Sequence, residues 1–191
     1  MHLRHIVLAV LAAAAATACV SPPPSAPPLP YVVAVLEPTR GNTASGTVWL
    51  VQAGNGVHIT GTFSGMAPNS EHGFHIHEKG DCSSGDGMSA GGHFNPTGKP
   101  HGPQTGEHHA GDLPSLKADA SGNARFEAHV AGTILTNGPV DLSGKALIVH
   151  ASPDDFTTQP TGNSGARIAC GVISSVAGKD AAGKDQPPKT M

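Results

Sequence analysis

The chain has 191 residues, a formal charge of −3 and only 13% charged residues, with no dense block of lysine or arginine. That balance argues against nucleic acid or an anionic membrane surface as a partner. Twenty-five glycines, 17 prolines and 4% aromatics favour short strands and turns over long helices, and the length suits one domain with appendages.

Residues 1–19 read as a secretory signal: Arg4 gives a basic start, Ile6 to Ala16 is apolar, and small residues lead to Cys19. The apolar run is too short to span a bilayer. Ala16-Thr17-Ala18-Cys19 resembles a bacterial lipoprotein cleavage site, in which the cysteine is lipidated and becomes the mature N-terminus. Cys19 is therefore the expected lipidation site, with plain cleavage nearby as the alternative. Either route exports the protein, and periplasm or cell envelope is the expected location. Residues 20–30 form a Pro-rich spacer that should be extended and solvated. With Cys19 assigned to lipid, Cys82 and Cys170 remain as one pair in an oxidising compartment, where a disulfide persists.

The domain proper is expected over 31–175. Tyr31 to Glu37 is a Val-rich first strand ended by Pro38. Thr47 to Ala53 and Val57 to Phe63 flank Gly54-Asn55-Gly56, a hairpin signal, and the second arm alternates Val57, Ile59, Gly61 and Phe63 against His58, Thr60 and Thr62. His58 thus falls on the polar face. Gly73 to Glu78 is a fourth strand, and Ala124 to Val130 alternates again, which turns His129 to solvent. Lys145 to His150 and Arg167 to Ile173 complete the set, with a polar loop between them. The pattern predicts an all-β domain, an antiparallel Greek-key sandwich or flattened barrel of about eight strands with two long loops. Residues 176–191 are expected to be a disordered tail.

The stretch from Glu71 to Asp112 holds seven of the chain's twelve histidines. His75 and His77, two apart on a strand, project from one face and make a two-toothed metal clamp. His93, His101, His109 and Asp112 follow in a long loop of Gly, Pro, Ser and Thr, which offers little to a core and needs another reason to be ordered. Metal ligation supplies that reason. Together with His150, these are too many ligands for one tetrahedral site, so two sites are implied. Three histidines with a carboxylate suit zinc, and histidines with an open position suit copper, but spacing alone leaves the partition open.

The blocks HGFHIHEKGDC, GGHFNP, KPHGP, HHAGDLP, IVHASPDD and GNSGARIACGVI, in that order, resemble the signatures of copper, zinc superoxide dismutases of the exported bacterial kind. The resemblance covers roughly Tyr31 to Ser175. It implies copper held by His75, His77, His93 and His150, and zinc held by His93, His101, His109 and Asp112, with His93 bridging as an imidazolate. His108 is read as an exposed neighbour of His109. The resemblance also implies that Asp154 hydrogen-bonds one histidine of each metal, that His72 packs beneath the copper strand, that Cys82 and Cys170 are disulfide-bonded, and that Arg167 attracts superoxide to the open copper position. His93 would also return a proton.

The implied reaction is dismutation of superoxide to dioxygen and hydrogen peroxide, protecting the cell envelope. The loop from Asp154 to Gly165 holds no lysine or glutamate, so steering is expected to rest on Arg167, with Lys79 and Lys99 as further candidates. The competing readings are a metal carrier without turnover and a copper-only enzyme. Superoxide is the expected small-molecule partner; a membrane is met only through lipid at Cys19, and a homodimer is left open.

Overall fold

The computed structural model describes residues 31–174. The expected signal, lipid-bearing Cys19, spacer and tail lie outside these residues. Apolar-polar alternation builds β1 (Tyr31–Pro38), β2 (Ser45–Ala53) and β3 (Gly56–Ser64) as an antiparallel meander. The hairpin between β2 and β3 turns at Gly54, whose φ of 56° suits a residue without a Cβ. Then come β4 (Glu71–His72), β5 (Phe74–His77), β6 (Leu116–Lys117), β7 (Ala124–Ala131), β8 (Ala146–His150) and β9 (Arg167–Val172). One 3₁₀ turn, Met88–Ala90, is the only helical element among the described residues.

Seven strands form one antiparallel sheet in the order β5-β8-β9-β1-β2-β3-β7. After β3 the chain crosses to the far edge for β5, returns to pair β7 with β3, and crosses again to β8. The all-β Greek-key expectation is met, in a sheet curled so that its edges face each other. Phe74 of β5 packs edge-on to Phe63 of β3 and Phe126 of β7, with ring centroids 5.3 and 5.0 Å apart. Phe74 is fully buried, and removing its ring should cost about 3–5 kcal/mol.

Two features escaped the sequence. Two-residue strands β4 and β6 pair with each other, too short to carry a periodicity. The long loop is also less dependent on metal than its composition implied. Ala90, Phe94 and Leu113 are buried in the core, and the loop backbone runs back along the outer edge of β5: Ile76 N–H donates to Gly111 O (2.8 Å) and Phe94 N–H to Ile76 O (2.8 Å). A strand edge that would otherwise be unpaired is thereby satisfied.

Candidate metal centre

The strand register decides which side chains meet. On β5, Phe74 and Ile76 enter the main core while His75 and His77 turn to the opposite face. On β8, Leu147 and Val149 join that core, and Ala146, Ile148 and His150 share the other face. His150 stands directly opposite Arg167, the first residue of β9. From the other edge of β5, isolated bridges bring His93 beside His77 and Asp112 beside His75. Three strands and a loop therefore converge on one point.

Two groups result. The ligand-type atoms of His75, His77, His93 and His150 all lie within 4.8 Å of one another, as do those of His93, His101, His109 and Asp112, and all seven residues are buried. His93 belongs to both. Its Nδ1 lies 2.8 Å from Asp112 Oδ1 and 3.5 Å from His109 Nδ1, whereas its Nε2 has no hydrogen-bond partner.

Outer hydrogen bonds orient most of the rings. His77 Nδ1 donates to Gly91 O (2.9 Å) and His150 Nδ1 to Gly165 O (3.2 Å), so both Nε2 atoms face inward as lone pairs, 3.4 Å apart. Asp154 accepts from His75 Nε2 (2.7 Å) through one oxygen and from His101 Nε2 (2.9 Å) through the other. His75 Nδ1 and His101 Nδ1 are left buried and unpartnered. His101 Nδ1 lies 2.9 Å from Asp112 Oδ1 yet makes no hydrogen bond, an arrangement expected of two donors aimed at a common ion. Buried lone pairs facing one another are costly unless a cation accepts them, so the residues fit metal ions at both groups.

Electrostatics separate the two groups. Burial lowers the pKa of His75 to about 4, of His77 to about 2 and of His150 to about 3, leaving neutral imidazoles ready to ligate at neutral pH. Burial also acts to lower His101, but the Asp112 and Asp154 carboxylates outweigh it and push that pKa up to about 9. Both carboxylates sit well below the usual range: burial would raise them, and the His101 ring beside both, with the other histidines and backbone N–H groups around each, reverses that effect.

Arg167 is half-buried, and its guanidinium is pinned by Gly87 O and Gly91 O, each at 2.6 Å. Cys82 and Cys170 form a disulfide across 88 residues, tying the start of this loop to β9. His72 is buried, with Nδ1 2.7 Å from His150 O and Nε2 2.7 Å from Ser70 Oγ. His58 lies 3.4 Å from Glu127 on the sheet exterior and His129 is exposed, as expected, whereas His108 is half-buried rather than exposed, its Nδ1 2.7 Å from Gly106 O. Lys79 and Lys99 line separate surface cavities, the one with Phe94 and the other with His108.

The sequence missed Gly91, Gln104, Phe156, Gln159 and Gly162. Gln104 donates to Asp112 O, and Gly102 N–H and His109 N–H bond Asp112 Oδ2 at 3.1 and 2.8 Å. A Cβ on Gly162 would collide with Asp154 and His101. Glycine in a loop of glycines carries no signal in a single sequence.

A curled antiparallel sheet with two buried histidine-rich groups sharing one imidazole defines a β-sheet metalloprotein with adjoining ion sites. The chain belongs to the copper/zinc superoxide dismutase family, whose model, described as copper/zinc superoxide dismutase (SODC), matches residues 44–173. It is accordingly an oxidoreductase of that type, with copper and zinc as cofactors. Two relatives from Aquifex aeolicus (strain VF5), "Superoxide dismutase [Cu-Zn] 2" and "Superoxide dismutase [Cu-Zn] 1", are each 43% identical over 133 residues. The matches cover 67% of this chain and 78% and 79% of those relatives. Similar solved structures include the clock protein EA4 (TM-score 0.70, 36% identity, 78% of this chain and 96% of that one). Another is a SOD-like protein from Bacillus subtilis (TM-score 0.67, 37% identity, 74% and 97%).

Proposed function

We propose that the chain converts two superoxide anions and two protons into dioxygen and hydrogen peroxide, with copper at His75, His77, His93 and His150 and zinc at His93, His101, His109 and Asp112. The single observation that carries this reading is His93: one ring offers Nδ1 to the carboxylate-bearing group and an unpartnered Nε2 to the histidine-only group. A copper ion held by His75, His77, His93 and His150 would supply one-electron redox chemistry, and a zinc ion held by His93, His101, His109 and Asp112 would supply fixed charge without redox chemistry.

The chain's own residues do the rest. Arg167, opposite His150 in the register and held on two carbonyls, presents a permanent cation that draws and orients a small anion. Gly91 O and Gly165 O hold His77 and His150 in the tautomer with Nε2 free, and Asp154 does the corresponding work for His75 and His101. His93 Nε2, unpaired within the protein, can carry a proton toward peroxide.

Superoxide turnover by the purified protein should be present when metal-replete, vanish on copper removal and return on copper addition. No copper-dependent turnover would leave the competing reading, a metal carrier. Against it stands Arg167, because a carrier has no need of a pinned cation beside the site.

The reading extends to the N-terminal sequence: residues 1–19 export the chain, Cys19 takes lipid, and the enzyme protects the envelope. Its support is the basic, apolar and small-residue order ending at Cys19. Mass analysis of the mature N-terminus should find lipidated Cys19, and Cys19→Ser should release the protein from membranes. An unmodified N-terminus elsewhere would refute the anchor.

A further inference from the structure

His101 is gripped by the second loop at three points. Asp154 Oδ1 meets its Nε2 at 2.9 Å, the Phe156 ring lies parallel to its ring (2° between planes, centroids 6.4 Å apart), and Gln159 clamps its backbone. The clamp is reciprocal: His101 N–H donates to Gln159 Oε1 and Gln159 Nε2 donates to His101 O, both at 2.8 Å. A side-chain amide thus pairs with a peptide unit as a neighbouring strand would, satisfying both polar groups of a loop residue that no strand supports. Gln159 is itself exposed, so core packing does not account for its placement.

Resting on the ligand assignment above, we propose that Gln159 is a positioning residue for zinc: it fixes the backbone of His101 so that Nδ1 faces the His93–His109–Asp112 group, and it makes order in the 154–162 segment depend on zinc. The dependence runs both ways. Zinc that holds His101 presents Gln159 with its two partners in place, and a loop held by Gln159 presents zinc with a preset ligand. The only side-chain atoms needed are one amide oxygen and one amide nitrogen.

Cobalt(II), which has a visible ligand-field spectrum, is the probe, added to metal-free protein with zinc competition for affinity. Gln159→Ala should weaken zinc binding by about tenfold and alter the cobalt spectrum. Gln159→Glu keeps the acceptor for His101 N–H, loses the donor to His101 O, and should recover only part of the loss. Hydrogen exchange should slow across 154–162 when zinc is added to the parent protein, and much less in Gln159→Ala. Parent-like affinity, spectrum and exchange in Gln159→Ala would overturn the proposal. A parent protein that takes no cobalt or zinc at His101 would instead overturn the ligand assignment, so the two failures are distinguishable. If Gln159→Ala lowers the melting temperature of the metal-free protein by as much as that of the zinc form, the role is purely structural and the proposal fails.

Discussion

His77 and Arg167 donate to the same acceptor, the carbonyl oxygen of Gly91, at 2.9 and 2.6 Å. One peptide group thus sets the tautomer of an imidazole in the histidine-only group and the direction of the cation beside it. Lysine at 167 would keep the charge but could not span Gly87 O and Gly91 O with a planar fork. Arg167→Lys should retain copper and lose about tenfold in superoxide rate constant by pulse radiolysis, a size typical of a lost charge-assisted pair of bonds. In the parent protein, added salt should slow the reaction if this charge steers the anion. A rate within about twofold of the parent would show that charge alone suffices.

Asp154, a ligand in neither group, hydrogen-bonds one histidine of each, His75 and His101. Asp154→Asn leaves at least one of His75 Nε2 and His101 Nε2 facing an amide nitrogen, and affinity for both ions should fall by about 10–100-fold in competition titrations. Gly162→Ala reaches the same carboxylate by another route, since Gly162 adopts φ of 64° and a methyl there would strike Asp154 and His101. It should cost about 1–3 kcal/mol in chemical denaturation and weaken zinc more than copper.

Protons should compete unequally with the two ions. Metal-free His101, with its pKa pushed up to about 9, carries a proton at neutral pH that zinc must displace. Zinc affinity should therefore rise by about tenfold per pH unit up to about pH 9. His75, His77 and His150, lowered to about 4, 2 and 3, add no such competition for copper above about pH 5. Acidification should thus release zinc before copper, and release in the reverse order would contradict the charge assignment.

The same shifts predict the acid stability of the metal-free fold. For His75, His77 and His150 the folded pKa lies below the ordinary 6.5, so the unfolded chain binds more protons and stability falls as pH drops from about 6.5 toward 4 and below. His101 has the opposite sign: its contribution is fully present below about 6.5 and is lost as pH rises through about 9. Urea denaturation between pH 4 and 9 should trace this dome.

Reducing the Cys82–Cys170 disulfide should act on chemistry as well as stability. It closes 88 residues, and its loss should cost about 4–5 kcal/mol on the chain-entropy account. It also releases the loop that supplies Gly87 O and Gly91 O to Arg167. Cys82→Ser with Cys170→Ser should therefore lose superoxide turnover at temperatures where circular dichroism still reports a folded sheet; unchanged turnover there would separate the disulfide from the site.

The sequence by itself determined the all-β class, the inward and outward faces of the long strands, and the pool of candidate ligands, because alternation and short-range spacing are local and a single strand such as His75-Ile76-His77 already displays them. Family blocks carried the partition between copper and zinc, and the structure then gathered all seven residues. Tertiary structure alone decided what holds the ligands. Gly91 O serves both His77 and Arg167, Gln159 grips His101 from 58 residues away, and the metal loop lies along the edge of β5 by backbone hydrogen bonds. Such partners are carbonyls, amides and glycines whose identity says nothing about where they point. Their roles exist only once the sheet has curled and the two loops meet.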